Sequence, residues 1–269
     1  TANGVIRVST SAYDSPQGYA PGRGGFEFNP VPGMPVKEMS SLKTSPKFNS
    51  SAISHQDFIA NFSDSTLLVP GTSIPINNHI NPMDIVAEMR LLNWNYSFSD
   101  FMAMCSLTIY NTGDQSFDDL YIGLWNNTVV RNVNITPAGA GGASFYSQGG
   151  NGFVDSLNLA YCYDATGDEG FTDSYVGQVF LGGEDKQGFR HPRTDSSFRV
   201  NYNAWVFNNS GQSTFFFPTT DQQRYQKMVD GFNHNPCWEN PAAAGCVSTL
   251  DVDLQDELNK IGNRSDLIS

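Results

Sequence analysis

Apolar and polar residues alternate at period two along much of the middle of the chain. In "DFMAMCSLTIYN", Phe101, Ala103, Cys105, Leu107 and Ile109 occupy every second position, the pattern of a strand with one buried face. "HQDFIANFSD" repeats the pattern with Phe58, Ala60 and Phe62. Strands are also predicted in "GVIRVST", "DIVAEMRLLNWNYS", "LYIGLWNNTVVRNVNI", "DSLNLAYCYD", "SYVGQVFLGG" and "SSFRVNYNAWVF". The turn-rich "NTGDQSFDD" and the glycine-rich "GAGGASFYSQGGNG" separate some of them. Only two segments carry helical signals. "TTDQQRYQKMVDGF" offers Thr219 or Thr220 as N-cap, apolar Tyr225, Met228 and Val229, and Gly231 as a stop. "TLDVDLQDELNKIGN" places Leu254, Leu258 and Ile261 on one face before Gly262.

Short strands divided by turn signals, with helices only towards the C-terminus, predict an all-β protein. The expected architecture is an antiparallel β-sandwich, jelly-roll or immunoglobulin-like, with long loops. Residues 1–50 are rich in Pro, Gly and Ser and contain one short strand. They are expected to form an extended arm, lying on a neighbouring surface, acting as a linker, or lent to another subunit. Residues 51–269 would form the sandwich domain. No internal repeat of fixed period is present.

Composition narrows the function classes. The 269 residues carry a net charge of −12, and 39% are hydrophobic, enough for a core. Charged residues make up only 16%, against a usual share of about 25%. Asn, Ser, Thr, Gly and Gln supply the polarity instead, a profile that suits a secreted, turn-rich β-protein. The acidic balance disfavours phosphate backbones and anionic lipid surfaces. No apolar run approaches the ~18–20 residues that cross a bilayer, so membrane insertion is not expected. With Thr1 first and no signal peptide, the sequence is taken as a piece of a longer precursor. Cys237 and Cys246 flank "WENPAAAG" and are expected to form a local disulfide, while Cys105 and Cys162 either pair across strands or remain separate buried thiols.

Four carboxylates crowd "YCYDATGDEGFTDSYVG". Asp164, Thr166, Asp168, Glu169 and Asp173 could supply several of the six to eight oxygens that calcium takes. The spacing departs from the EF-hand pattern, and an acidic hairpin turn is the competing reading. Asp118 and Asp119, beside Asp114, are candidates to join such a site. No motif of nucleophilic, phosphate-binding or dinucleotide chemistry occurs, and no carboxylate pair stands out as catalytic. The histidines (His55, His79, His191, His234) are scattered and suit polar loops better than a transition-metal site. Trp94, Trp125, Trp205 and Trp238 could stack on sugar rings, although strand tryptophans are more often core; Trp238, inside the cysteine loop, is the most exposed candidate. The Asn-x-Ser/Thr tripeptides ("NSS", "NFS", "NYS", "NNT", "NIT", "NNS", "NRS") follow from an Asn- and Ser-rich composition.

At "SHQDFIANFSD…VPGTSIPI", "LYIGLWNNTVVRN" and "GNGFVDSLNLAYCYDATGDEGFTDSYVG" the chain resembles the large secreted modules of Bacteroidota whose precursors often end in a type IX secretion sorting domain. The resemblance runs from about residue 50 to the end, and more weakly through 1–50. It implies a secreted, cell-surface β-module and says little about activity. It also suggests O-glycosylation at Asp-Ser/Thr-apolar sites: Ser156 in "DSL" and, more loosely, Ser65 in "DST". Two departures stand out. Asn126 and Asn127 follow Trp125 where relatives often carry Asp, and the chain stops at Ser269 where relatives continue into a further strand. The function expected is a non-catalytic structural or assembly module of the bacterial surface, self-associating by strand exchange or binding other surface subunits. A carbohydrate-binding or adhesive module is the alternative, and an extracellular hydrolase the third reading. Calcium is the only cofactor suggested.

Overall fold

The computed structural model describes residues 4–11, 26–77, 79–126, 128, 130, 149–164, 174–186, 188–195, 200–202 and 220–230. They form ten strands, one turn of 3-10 helix at Asp155–Leu157 and one α-helix, and every strand pair is antiparallel. The protein is therefore mostly β, as its alternation predicts. Two compact units arise. The first takes the described residues of Thr1–Tyr121 and Phe216–Tyr225, the second those of Ile122–Trp205 and Gln226–Ser269.

The first unit is built on a five-stranded sheet. β3 (Gln56–Ser63) pairs with β4 (Ile85–Asn93), and β4 with β5 (Met104–Asn111). On its other side β3 takes two short strands, β1 (Asn29–Pro30) and β2 (Lys37–Met39). Part of the region expected to be an arm thus belongs to the sheet. Register sorts the side chains into two faces. On one, apolar rows run across the strands: Phe58–Leu91–Cys105, Ala60–Met89–Leu107 and Phe62–Ala87–Ile109. On the other, Met39, Asp57 and Leu92 align, and all three are buried. Val69, Ile76, Ile85 and Ala87 complete the unit's buried apolar set.

The second unit holds a sheet of β6 (Gly149–Val154), β7 (Leu159–Asp164) and β8 (Tyr175–Val179), and a small hairpin of β9 (Gly183–Asp185) and β10 (Gly188–Arg190). Tyr163 lies opposite Tyr175, their rings stacked at 5.7 Å, with Tyr161 alongside. A side chain at Gly177 would meet Leu159 Cδ1 at 2.8 Å, so the Leu159 side chain would have to turn aside to admit one. Phe153 stacks on Tyr202 at 5.2 Å. Burial, with a smaller push from Cys162, raises the Tyr202 phenol to about 12.

Helix α1 (Asp221–Asp230) starts where predicted. Thr220 is its N-cap, its hydroxyl accepting from Gln223 N at 3.3 Å. The second predicted helix, 249–263, lies outside the described residues. Three strand expectations are corrected. "GVIRVST" forms no strand: Gly4 is in a turn, Val5 is a single bridge residue, and the polar groups of residues 7–10 go to side chains and the Pro82 carbonyl. Residues 120–126 form no strand. β5 exists in the predicted phase, yet neither of its faces is buried: Ile109 is half-buried and the other residues are exposed.

Candidate functional site: carboxylates at the ends of β3 and the open edge of β5

Asp57 enters β3 as its second residue and is fully buried. The preceding turn wraps onto it. Ile53 N donates at 2.9 Å, Ser54 N at 2.8 Å, and the Ser54 hydroxyl also donates. Arg90, two residues from the facing Leu92, completes the shell with Nε at 3.1 Å and a second, shorter contact from its terminal nitrogen. Burial is the largest single influence and pushes this carboxyl up. The donors from Ser54, Ile53 and Arg90 together outweigh it and hold the carboxyl at about 2. Asp57 is ionised at any ordinary pH and cannot act as a general acid.

Asp64, the first residue past β3, is also fully buried. Its carboxylate accepts from Met83 N at 2.7 Å, Ile85 N at 2.8 Å and the Ser9 hydroxyl at 2.6 Å. Its carbonyl accepts from His79 Nε2 at 2.5 Å. His79 Nδ1 stands 4.0 Å from Glu27, a buried carboxylate that accepts from Thr10 N at 2.7 Å and faces Arg224 at 3.7 Å. Arg224, also buried, contacts Asp221 at 3.2 Å, and Asp221 accepts from Val8 N at 3.2 Å. Arg7 donates to the Pro82 carbonyl at 3.1 Å. Residues 7–10 are thus fastened to the first unit at four points. Glu27, Asp64 and Asp221 each accept from residues 8–10, so the cluster ties distant segments of chain together.

The outer side of the first unit differs in kind. Ser99, buried, ties the β4–β5 loop into a turn: its one hydroxyl proton is within reach of both Trp94 O (2.8 Å) and Tyr96 O (2.9 Å), and its oxygen accepts from Tyr96 N (3.2 Å). That turn holds Phe98 and Met102 in the open, stacks Tyr96 on Phe98 at 5.4 Å, and leaves Phe101 99% exposed. The exposure continues along β5, where Leu107 is 45% exposed, and across to Leu91 at 39%. Among the described strands, β5 pairs only with β4. Its sequence, "MCSLTIYN", holds no proline, glycine or charge, the usual devices that protect a sheet edge.

The residues singled out by sequence fare unequally. Asp164 ends β7. Thr166, Asp168, Glu169 and Asp173 lie outside the described residues, as do Cys237, Cys246 and Trp238. No group of three or more His, Cys, Asp or Glu is placed to hold a metal among the described residues, Asp114, Asp118 and Asp119 included. Cys105 and Cys162 form no disulfide: Cys105 is exposed on β5 and Cys162 is buried on β7. Partial burial raises the Cys105 thiol, so it is not an activated nucleophile. Ser156 and Ser65 are both exposed. His79 lies in the loop before β4, as expected, and is buried there in a polar network. Sequence reasoning passed over Glu27, Asp57, Asp64 and Arg224. Asp57 had a signal in its three-residue spacing from Ser54, whereas Asp64 had none, its donors lying 19 to 55 residues away. The chain matches no family model, no curated protein and no solved structure.

Proposed function

We propose that the chain is a non-catalytic structural module of a bacterial cell surface, secreted and self-associating through strand β5 of its first unit. The observation that carries this reading is the unprotected edge: a long outer strand, free of charge and proline, flanked by exposed Phe98, Phe101 and Met102. Two copies pairing β5 to β5 would satisfy its outward N–H and C=O groups and join the Leu91–Cys105 and Met89–Leu107 rows into one wider apolar face. A β-sandwich is the architecture in which such an apolar sheet face is covered. The charge of −12 keeps copies apart in solution and makes association depend on salt.

The test is sedimentation velocity across a concentration series of the full chain and of Leu107→Lys. Wild type should shift to larger species as concentration rises, and the variant should not. A wild type that stays monomeric throughout overturns the reading. The same wild-type monomer, retained on a glycan array through Tyr96 and Phe98, would favour the adhesive module instead.

A further inference from the structure

The seat that holds residues 7–10 reads mostly main-chain and short polar groups. Two of its four contacts take main-chain N–H groups, of Val8 and Thr10, and a third takes the short Ser9 hydroxyl. The acceptors are the side chains of Asp221, Glu27 and Asp64, with the Pro82 carbonyl on Arg7. Residues 7–10 supply one donor to each of two buried carboxylates, the Thr10 N–H to Glu27 and the Ser9 hydroxyl to Asp64, and losing such a donor is costly. The occupant adds little apolar contact: Val5 is exposed and residues 6–10 are only half-buried. The seat therefore selects donors that the same segment of any copy can supply.

We propose that residues 4–11 are exchanged between copies, the seat formed by Glu27, Asp64, Pro82 and Asp221 of one chain taking up residues 4–11 of a second. Residues 12–25 join the strap to the body. These fourteen residues, four of them glycine, reach about 50 Å at full extension, ample to cross to a neighbour. Contacts made within a chain and between chains are the same, so exchange costs little beyond association itself. This rests on the β5 reading, since a β5 pair offers two straps and two seats to the next pair. β5-to-β5 pairing is two-fold and closes on itself, whereas strap exchange runs head to tail. Together they convert closed pairs into an open filament.

The closing experiment uses full chains carrying Cys105→Ser, with Ser9→Cys in one population and Met83→Cys in another. Ser9 and Met83 donate to the same Asp64 oxygen, so a short bis-maleimide can join them. Mixed populations should give cross-linked dimers well above the yield of either population alone, and the double variant should give a ladder of multimers. A double variant that cross-links only as monomer, with a silent mixture, overturns exchange, while sedimentation of the same proteins still reports on β5 pairing. The absence of any cross-link, within or between chains, overturns the seat itself. Adding Leu107→Lys should lower the mixed yield several-fold; an unchanged yield would show that exchange does not rest on β5 pairing.

Discussion

Strand β3 is bracketed by two buried carboxylates that face opposite problems. Asp57 gathers donors from its own neighbourhood, Ile53 and Ser54, and adds one side chain, Arg90, from the adjacent strand. Asp64 gathers donors from three distant pieces of chain: the strap through Ser9, the β4 approach through Met83 and Ile85, and, through its carbonyl, His79. The first shapes a turn and anchors a strand pair. The second decides where the start of the chain goes. Similar chemistry at the two ends therefore has different reach, set by how far along the sequence the donors lie.

The largest effect should come from Asp64→Ala, which leaves two backbone N–H groups and a hydroxyl without their acceptor. A loss of about 4 kcal/mol in urea unfolding is expected. Amide exchange across residues 7–10 should rise with it. If those amides stay protected, Asp64 does not hold the strap.

Asp57→Ala should cost about 3 kcal/mol, because Arg90 is partly exposed and can turn to water. Exchange should quicken around Ser54 while the strap stays protected. Equal disturbance at both places would erase the distinction between the two ends.

Acid sharpens the contrast further. The Asp57 carboxyl is held below its unfolded value of about 4, so the unfolded chain takes up the proton first as pH falls. Its contribution of about 2 kcal/mol is complete above that unfolded value and is lost as pH drops towards 2. Asp57→Asn should flatten the stability profile over that window. A profile equally steep in the variant would mean other carboxylates govern acid unfolding.

Leu107→Lys should change the stability of the isolated chain least, by under about 0.5 kcal/mol, since its side chain is already exposed. Its effect belongs to association. A large drop in stability would show that the β5 face is packed within the chain after all.

The alternation of β3 and β5 was legible because side-chain period encodes strand phase directly, and Thr219 or Thr220 announced the helix start by capping chemistry. Burial of β5 was not, because alternation fixes which side chains share a face but not whether anything covers it. "GVIRVST" has strand-forming residues, yet its hydrogen bonds go to Asp64, Glu27, Asp221 and Pro82, a choice made by tertiary context. The candidate site shows the same divide. Asp57 lies within reach of a local motif, and Asp64 depends on contacts no window of sequence contains.

The hydrogen bond from Val8 to Asp221 spans 213 residues. Synthesis and export both run from the N-terminal side, so residue 8 appears 213 residues before its acceptor. The earlier segment must wait over that whole interval with Asp221 not yet made. Whatever binds residues 4–11 in the interval controls when the first unit can close, and a chain interrupted before Asp221 would leave those residues without one of their four fastenings.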